Sequence, residues 1–185
     1  GEGVDLVLHT GALNSVVELM RESPKEAARV LRDLRTLFLA TTQRSSQAAV
    51  SLAEELNVVD AFIGVARARH ADSLSFTREV DEAALPASVP PLSLQPLVEN
   101  AIHHAVAVRT TPGEVSVRAE RAQDRLILEV RDDGGPQRTS RGSGIGLPNT
   151  RARLSCLYGA DHLLEIVALV TGGTLVRLDL PYRPA

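Results

Sequence analysis

The stretch Leu94-Gln95-Pro96-Leu97-Val98-Glu99-Asn100-Ala101-Ile102-His103-His104 decides how the chain is read. At 3.6 residues per turn, Leu94, Leu97, Val98, Ala101 and Ile102 share one stripe of a helix, and Asn100, His103 and His104 sit three and four residues apart on another face. Ser93 is placed to cap this helix, and Pro96 still lies in the first turn, where a missing amide hydrogen is tolerated. The helix is expected from Leu94 to about Val108. An amide, two imidazoles and the Glu99 carboxylate converge on it. Zinc fits poorly, because adjacent histidines point ~100° apart and no third strong ligand follows at a diagnostic spacing.

Two further stretches carry chemistry. Asp132-Asp133-Gly134-Gly135-Pro136 stands where the expected strand Arg125 to Arg131 runs out. An Asp at a strand end, followed by glycines, is a fixed acceptor beside backbone that a flat ligand can approach, which is what reading the exocyclic amine of a purine requires. Arg141-Gly142-Ser143-Gly144-Ile145-Gly146-Leu147-Pro148-Asn149-Thr150-Arg151 places closely spaced glycines at the opening of a helix. Backbone amides and the positive end of the helix dipole then face an anion, normally phosphate. This is no Walker A loop, since no Gly-Lys-Ser/Thr follows, and the glycine spacing is not that of a dinucleotide fingerprint. Singly, the three stretches also read as a solvated helix face, an acidic turn and a loop. In this order they describe one ATP site.

The remainder of the sequence supplies a frame of mixed class. From Gly11 to about Gln43 apolar residues recur every three or four positions, with a break at Ser23-Pro24, and Ser51 with Glu54 opens a further helix running to about His70. The loop at Ser23-Pro24 is short enough to make the helices on either side of it antiparallel neighbours, and a second copy would cover the apolar stripe left on this hairpin in a four-helix bundle. After Ser73 short strands alternate with helices: Ser75 to Val80, Glu114 to Glu120, Arg125 to Arg131, Leu163 to Val170 and Thr174 to Leu180. The fold class is therefore α+β, with residues 1–72 a helical dimerisation region and residues 73–185 an α/β sandwich that binds nucleotide.

Composition narrows the rest. The chain has 185 residues, 44% apolar and 23% charged, with three Phe, two Tyr and no Trp, so its core must be aliphatic. A net charge of -3, without a block of basic residues, argues against nucleic acid as a partner. Cys156 is the single cysteine, which excludes an internal disulfide and a thiolate zinc cluster. No apolar run reaches the ~18 residues that cross a bilayer, and Gly1-Glu2-Gly3-Val4-Asp5 lacks the basic start of a signal peptide. The sequence reads as a cytoplasmic piece of a longer protein, the inner part of a membrane-anchored sensor.

The three stretches closely resemble the N box, the Asp-x-Gly-x-Gly box and the Gly-x-Gly-x-Gly box of the GHKL superfamily, which includes gyrase, heat-shock-90, MutL and histidine kinases. The residues from Leu94 to Ile102, the Asn-x-Arg-x-Arg-Leu that ends at Leu154, Leu157-Tyr158-Gly159, Gly172-Gly173-Thr174 and Leu180-Pro181 are similar to LytS/YehU-type sensor histidine kinases. Ala12-Leu13-Asn14-Ser15-Val16 and Glu54-Glu55-Leu56 extend the likeness into the helical half. The resemblance implies a homodimeric kinase that uses ATP and Mg²⁺ to phosphorylate a histidine and then the receiver domain of a response regulator. It implies Mg²⁺ at Asn100 and phosphate contacts at His103, with His104 as the family's retained histidine. It further implies adenine at Asp132, Gly134 and Thr174, and a phosphate lid at Gly142, Ser143, Gly144, Ile145, Gly146 and Leu147.

The catalytic candidates are His9 and Glu99, and departures from the family pattern bear on the first of them and on the nucleotide boxes. Alignment on Ala12-Leu13-Asn14-Ser15 puts Val7, which cannot accept phosphate, where the acceptor histidine should stand. His9 lies two residues further on, a rotation of ~200° on a helix. Pro136 replaces the third glycine of the Asp box, and His103 replaces a Lys. The competing reading is a degenerate kinase that binds nucleotide and signals by dimer conformation without phosphotransfer. A hydrolytic clamp is a weaker alternative, because Pro96 stands where a water-orienting Glu would be.

Overall fold

Alternation of apolar and charged residues along the second half of the chain becomes a sheet with two unlike faces. The computed structural model describes residues 13–43, 47–70, 73–106, 111–134 and 146–185. Helix α1 covers residues 13–22. It is followed by α2 (Pro24–Gln43), β1 (Val50–Ser51), α3 (Leu52–His70), β2 (Leu74–Val80), β3 (Ser88–Val89) and α4 (Gln95–Ala105). Then come β4 (Gly113–Ala122), β5 (Arg125–Asp132), α5 (Gly146–Tyr158), β6 (Leu163–Ala168) and β7 (Thr174–Pro181).

Five strands form one sheet in the order β2-β4-β5-β7-β6, with β2 parallel to β4 and every other pair antiparallel. One cross-strand row reads Val80, Ala119, Leu128, Leu178, Leu164, one residue from each strand. The neighbouring row, one position away along each strand, reads Glu79, Arg118, Glu129, Arg177, Glu165. Since successive side chains on a strand point to opposite faces, the first row lies under the helices and the second faces outward. Opposite charges alternate across the outer row, and Arg177 reaches Glu129 at 3.8 Å.

The covering layer is α4, which packs on β4 and β5, flanked by α3 and α5. Leu97, Val98, Ala101 and Ile102 of α4 are all buried, as the stripe requires. Helix α3 has a second neighbour, α2. A Cβ at Gly64 would meet the Asp33 carboxylate, near the middle of each helix, as an antiparallel pair joined through residues 44–51 requires. Ala27, Val30, Leu37 and Ala40 of α2 are buried, while Leu31 and Phe38 stay on the surface with Leu13, Val17 and Met20 of α1. Among the described residues no helix is long and apolar enough to cross a membrane.

Four expectations need correction. The hairpin does not form across Ser23: the Ser23 N–H donates to the Leu19 carbonyl and the Ala27 N–H to the Ser23 carbonyl, so helical bonding runs on from α1 into α2, and the packed pair is α2 with α3. Helix α4 closes at Ala105, with Val106 as its cap donating to the Ile102 carbonyl, and Val108 lies outside the described residues. Strand β6 closes at Ala168, because Leu169 exchanges hydrogen bonds with Gly172 and Gly173 and so turns the chain. Ser93 does not cap α4: the cap position is Leu94, with helical φ -88° and no side-chain bond, and the cap comes from elsewhere. The box at the start of α3 is as expected, with the Glu54 carboxylate accepting from the Ser51 N–H at 3.0 Å and the Ser51 hydroxyl accepting from the Glu54 N–H at 3.3 Å.

Because Leu128 is 1% exposed in the middle of the apolar row, Leu128→Ala should lower stability by about 2–5 kcal/mol. Glu129→Ala, next to it on the outer face, should cost under about 1 kcal/mol. Urea unfolding of both variants checks the difference between the faces.

Candidate functional site

Asp132 is the last residue of β5, and the register decides where its side chain goes. It pairs with Val115 of β4 and Thr174 of β7, so all three side chains lie on the helix-covered face. The carboxylate is buried, at 3% exposure of the residue, and Thr174 is buried beside it. One oxygen accepts from the Gly134 N–H at 2.9 Å, and the other lies 3.7 Å from Nδ1 of His104. Asp133, adjacent in sequence, has a different task. Its Oδ1 accepts from the Glu114 N–H at 2.8 Å and its own N–H donates to the Glu114 carbonyl, so pairing of β4 and β5 continues one residue past Asp132.

Two glycines allow the chain to close on this carboxylate. A Cβ at Gly134 would stand 2.7 Å from Oδ1 of Asp132 and 2.8 Å from the His104 carbonyl, so only glycine fits between β5 and the end of α4. Gly173 has φ +89°, and a Cβ there would fall 2.0 Å from the Asp132 carbonyl oxygen. The β6–β7 turn and the segment after β5 thus form a side-chain-free rim around Asp132.

Helix α4 brings the other candidates. Glu99 and Asn100 are half-buried, His104 is half-buried against Asp132, and His103 is exposed. The two imidazole planes stand 73° apart with centroids separated by 6.1 Å, so the adjacent histidines diverge as a helix requires. Both occupy the last turn, where positive charge meets the negative end of the helix dipole. The Asp132 carboxylate is the main influence on His104 and raises its pKa above the ordinary 6.5, with burial opposing in part. Leu147 opens α5 next to Gly146 and packs on the core. His9, Gly142, Ser143, Gly144 and Ile145 lie outside the described residues.

Among the described residues no cluster of three or more His, Cys, Asp or Glu is arranged to hold a metal by itself. Two open depressions, of about 260 and 360 Å³, lie around Thr77, Ser116 and Arg131 on the outer face of the sheet. The Asp132 side chain points to the opposite face. The reading from sequence missed Glu55, a fully buried carboxylate on α3. Its position between Leu52 and Val59 on an apolar stripe was the available signal, because a charge there needs dedicated partners.

An α/β sandwich with a buried acid at a strand end, glycines around it and a polar helix over it resembles the fold of GHKL-type kinase domains. The family model described as histidine kinase matches residues 10–74. The sensor protein LytS of Enterococcus faecalis is 31% identical over 183 residues, covering 92% of this chain and 31% of that protein. The sensor histidine kinase BtsS of Escherichia coli K12 is 30% identical over 173 residues, with 93% and 31% coverage. The chain thus spans about a third of the length of these relatives. The histidine kinase domain of Erythrobacter litoralis EL346 superposes with TM-score 0.57 at 18% identity, covering 96% of this chain and 94% of that one. The catalytic domain of the histidine kinase ThkA gives TM-score 0.57 at 16% identity, with 72% and 94% coverage, a likeness of fold. The chain is thus similar to histidine kinases, and its sequence resembles sensor proteins of the LytS type over nearly its whole length.

The raised pKa of His104 sets a direction for stability. Stabilisation from the protonated imidazole is fully present below the unfolded-state value near 6.5 and is lost as pH rises through the higher folded-state value. His104→Gln should therefore be most destabilising, relative to wild type, near about pH 5.5, and the gap should narrow toward about pH 8.5. Thermal unfolding across that range measures it.

Proposed function

We propose that this chain is the nucleotide-binding and dimerisation core of a two-component sensor histidine kinase, with residues 1–72 as the helical dimerisation and phosphotransfer-like region and residues 73–185 as the ATP-binding unit. The observation that carries the reading is the Asp132 carboxylate, buried at a strand end with one oxygen fixed by Gly134 and Thr174 in register beside it. A carboxylate in that state keeps lone pairs for a planar donor such as the adenine amino group. The residues present fit the ligand at its purine end.

In this reading Asp132 accepts from adenine, with Thr174 supporting the same edge and Gly134 giving close approach. Asn100 holds Mg²⁺, and His103 and His104 lie at the phosphate side of α4. Gly142, Ser143, Gly144, Ile145, Gly146 and Leu147 line the lid over the phosphates. Glu99, next to Asn100 in sequence, is the catalytic carboxylate candidate, and His9 is the acceptor candidate of this chain. Bound Mg-ATP supplies the phosphoryl group, and the protein contributes position and charge neutralisation. The phosphoryl group then passes to the receiver domain of a response regulator. The reading places the chain on the cytoplasmic side, below a membrane-anchored sensor.

The dimer is supported by the helical surface. Leu13, Val17 and Met20 follow a helical spacing on α1, and Leu31 and Phe38 do so on α2, with Met20 and Phe38 each 61% exposed. A stripe of this kind is what a second hairpin would bury.

Asp132→Ala should weaken Mg-ATP binding by about tenfold or more, because a buried charged acceptor is removed from the ligand. Nucleotide titration reads this, and a variant that binds as well as wild type overturns the assignment. With γ-labelled ATP, the label should be acid-labile and alkali-stable. Phe38→Glu should shift the chain from dimer toward monomer in sedimentation experiments while nucleotide affinity is kept.

A further inference from the structure

Glu55 is fully buried in the first turns of α3, and its two oxygens are committed to one loop. Oε1 accepts from the Leu92 N–H at 2.6 Å, and Oε2 accepts from the N–H groups of Ser93 and Leu94 at 2.9 and 3.0 Å. Leu94 is the N-cap of α4, and its N–H is one of the donors that a helix start leaves without intrahelical partners; Leu92 and Ser93 are the two residues that lead into it. A negative charge is suited to that position by the helix dipole as well as by the hydrogen bonds. The cap on the site-bearing helix therefore comes from the helical hairpin, 37 to 39 residues earlier in the chain.

The loop it grips is under constraint. Leu92 has φ +54°, a left-handed conformation that a branched-chain residue adopts only when its surroundings impose it. Helix α5 holds the same loop from the other side: Arg153 donates to the Pro91 carbonyl and the Tyr158 hydroxyl donates to the Ser88 carbonyl. Strand β1, at the root of α3, pairs Val50 with Val89 and Ser51 with Ser88. Residues 88–94 are thus the place where α3, α4 and α5 are tied together.

We propose that Glu55 is a positioning residue for the nucleotide site: by fixing the start of α4 it sets where Asn100 and His104 stand, and it passes displacements of the α2–α3 pair to the bound nucleotide. The inference rests on the functional reading above and adds its mechanical input. Across the roughly 15 Å of helix between Leu94 and His104, a change at the start of α4 is carried to its end. Coupling of this kind is reciprocal, so nucleotide at α4 must also be felt at α3. The substitution Glu55→Gln is informative because glutamine offers one acceptor oxygen, and its amide group would face N–H donors on the other side.

Mg-ADP titration and amide hydrogen exchange on wild type, Glu55→Gln and Leu128→Ala test the proposal. In wild type, saturating Mg-ADP should slow exchange at residues 52–56 of α3 and at the amides of Leu92, Ser93 and Leu94. Glu55→Gln should bind about tenfold more weakly and, at saturation, should lose the added protection of α3. Leu128→Ala, destabilised through the core alone, should keep its affinity within about twofold, which separates positioning from general loss of stability. A Glu55→Gln variant with wild-type affinity, or one that retains the protection of α3, overturns the proposal. Should that variant not fold, the wild-type exchange decides by itself, and unchanged exchange at α3 and at residues 92–94 on saturation is the overturning result. A wild type that binds no Mg-ADP instead overturns the functional reading, and this inference with it.

Discussion

Register is the constraint on which the site depends. Asp132 is a charged residue on the apolar face of the sheet, held there because it is in step with Val115 and Thr174. A slip of one residue between β5 and its neighbours would bring Arg131 under the helices and turn Asp132 outward. The same slip would place Glu129 where Leu128 now sits among Ala119, Leu178 and the covering layer. The aliphatic row thus does more than stabilise the sheet: it specifies which carboxylate is buried. Asp133 reinforces that choice by prolonging the β4–β5 ladder to the point where the chain departs.

Much of this arrangement was legible in the sequence, and for identifiable reasons. Period-3.6 and period-2 patterns are local, so the apolar stripe of α4 and the alternation in β4 and β5 could be read directly. The Ser51–Glu54 box is local too, with both partners inside one turn. Glycines around the acid announced a close approach, though the role of Gly173 needed the sheet, since the carbonyl it faces belongs to another strand. Ser93 was misread because propensity at a helix start says what a side chain is able to do, not whether a stronger acceptor arrives from a distance. The partners of Glu55 were illegible for the converse reason, although its place on an apolar stripe was a signal that it had some. Its partners lie on another element, and no spacing rule links α3 to the residues before α4.

The boundary between a helical part and a nucleotide-binding part also changes in meaning once the contacts are seen. Helix α3 pairs with α2 on one side and with α4 and β2 on the other, so it belongs to both layers. Arg78 of β2 and Asp60 of α3 form an ion pair at 2.5 Å across the same junction. In the proposed reading the hairpin dimerises and the sheet-and-helix unit binds nucleotide, and helix α3 is common to both.

The outer row of the sheet bears on how charged ligands meet the protein. Its three carboxylates, Glu79, Glu129 and Glu165, are interleaved with Arg118 and Arg177, which leaves a residual of one negative charge on five ionised groups. Neighbours of opposite sign cancel within a few ångströms, so beyond a screening length of about 8 Å this broad surface is almost electrically silent. A polyanion drifting in from solvent is neither repelled nor captured by that row.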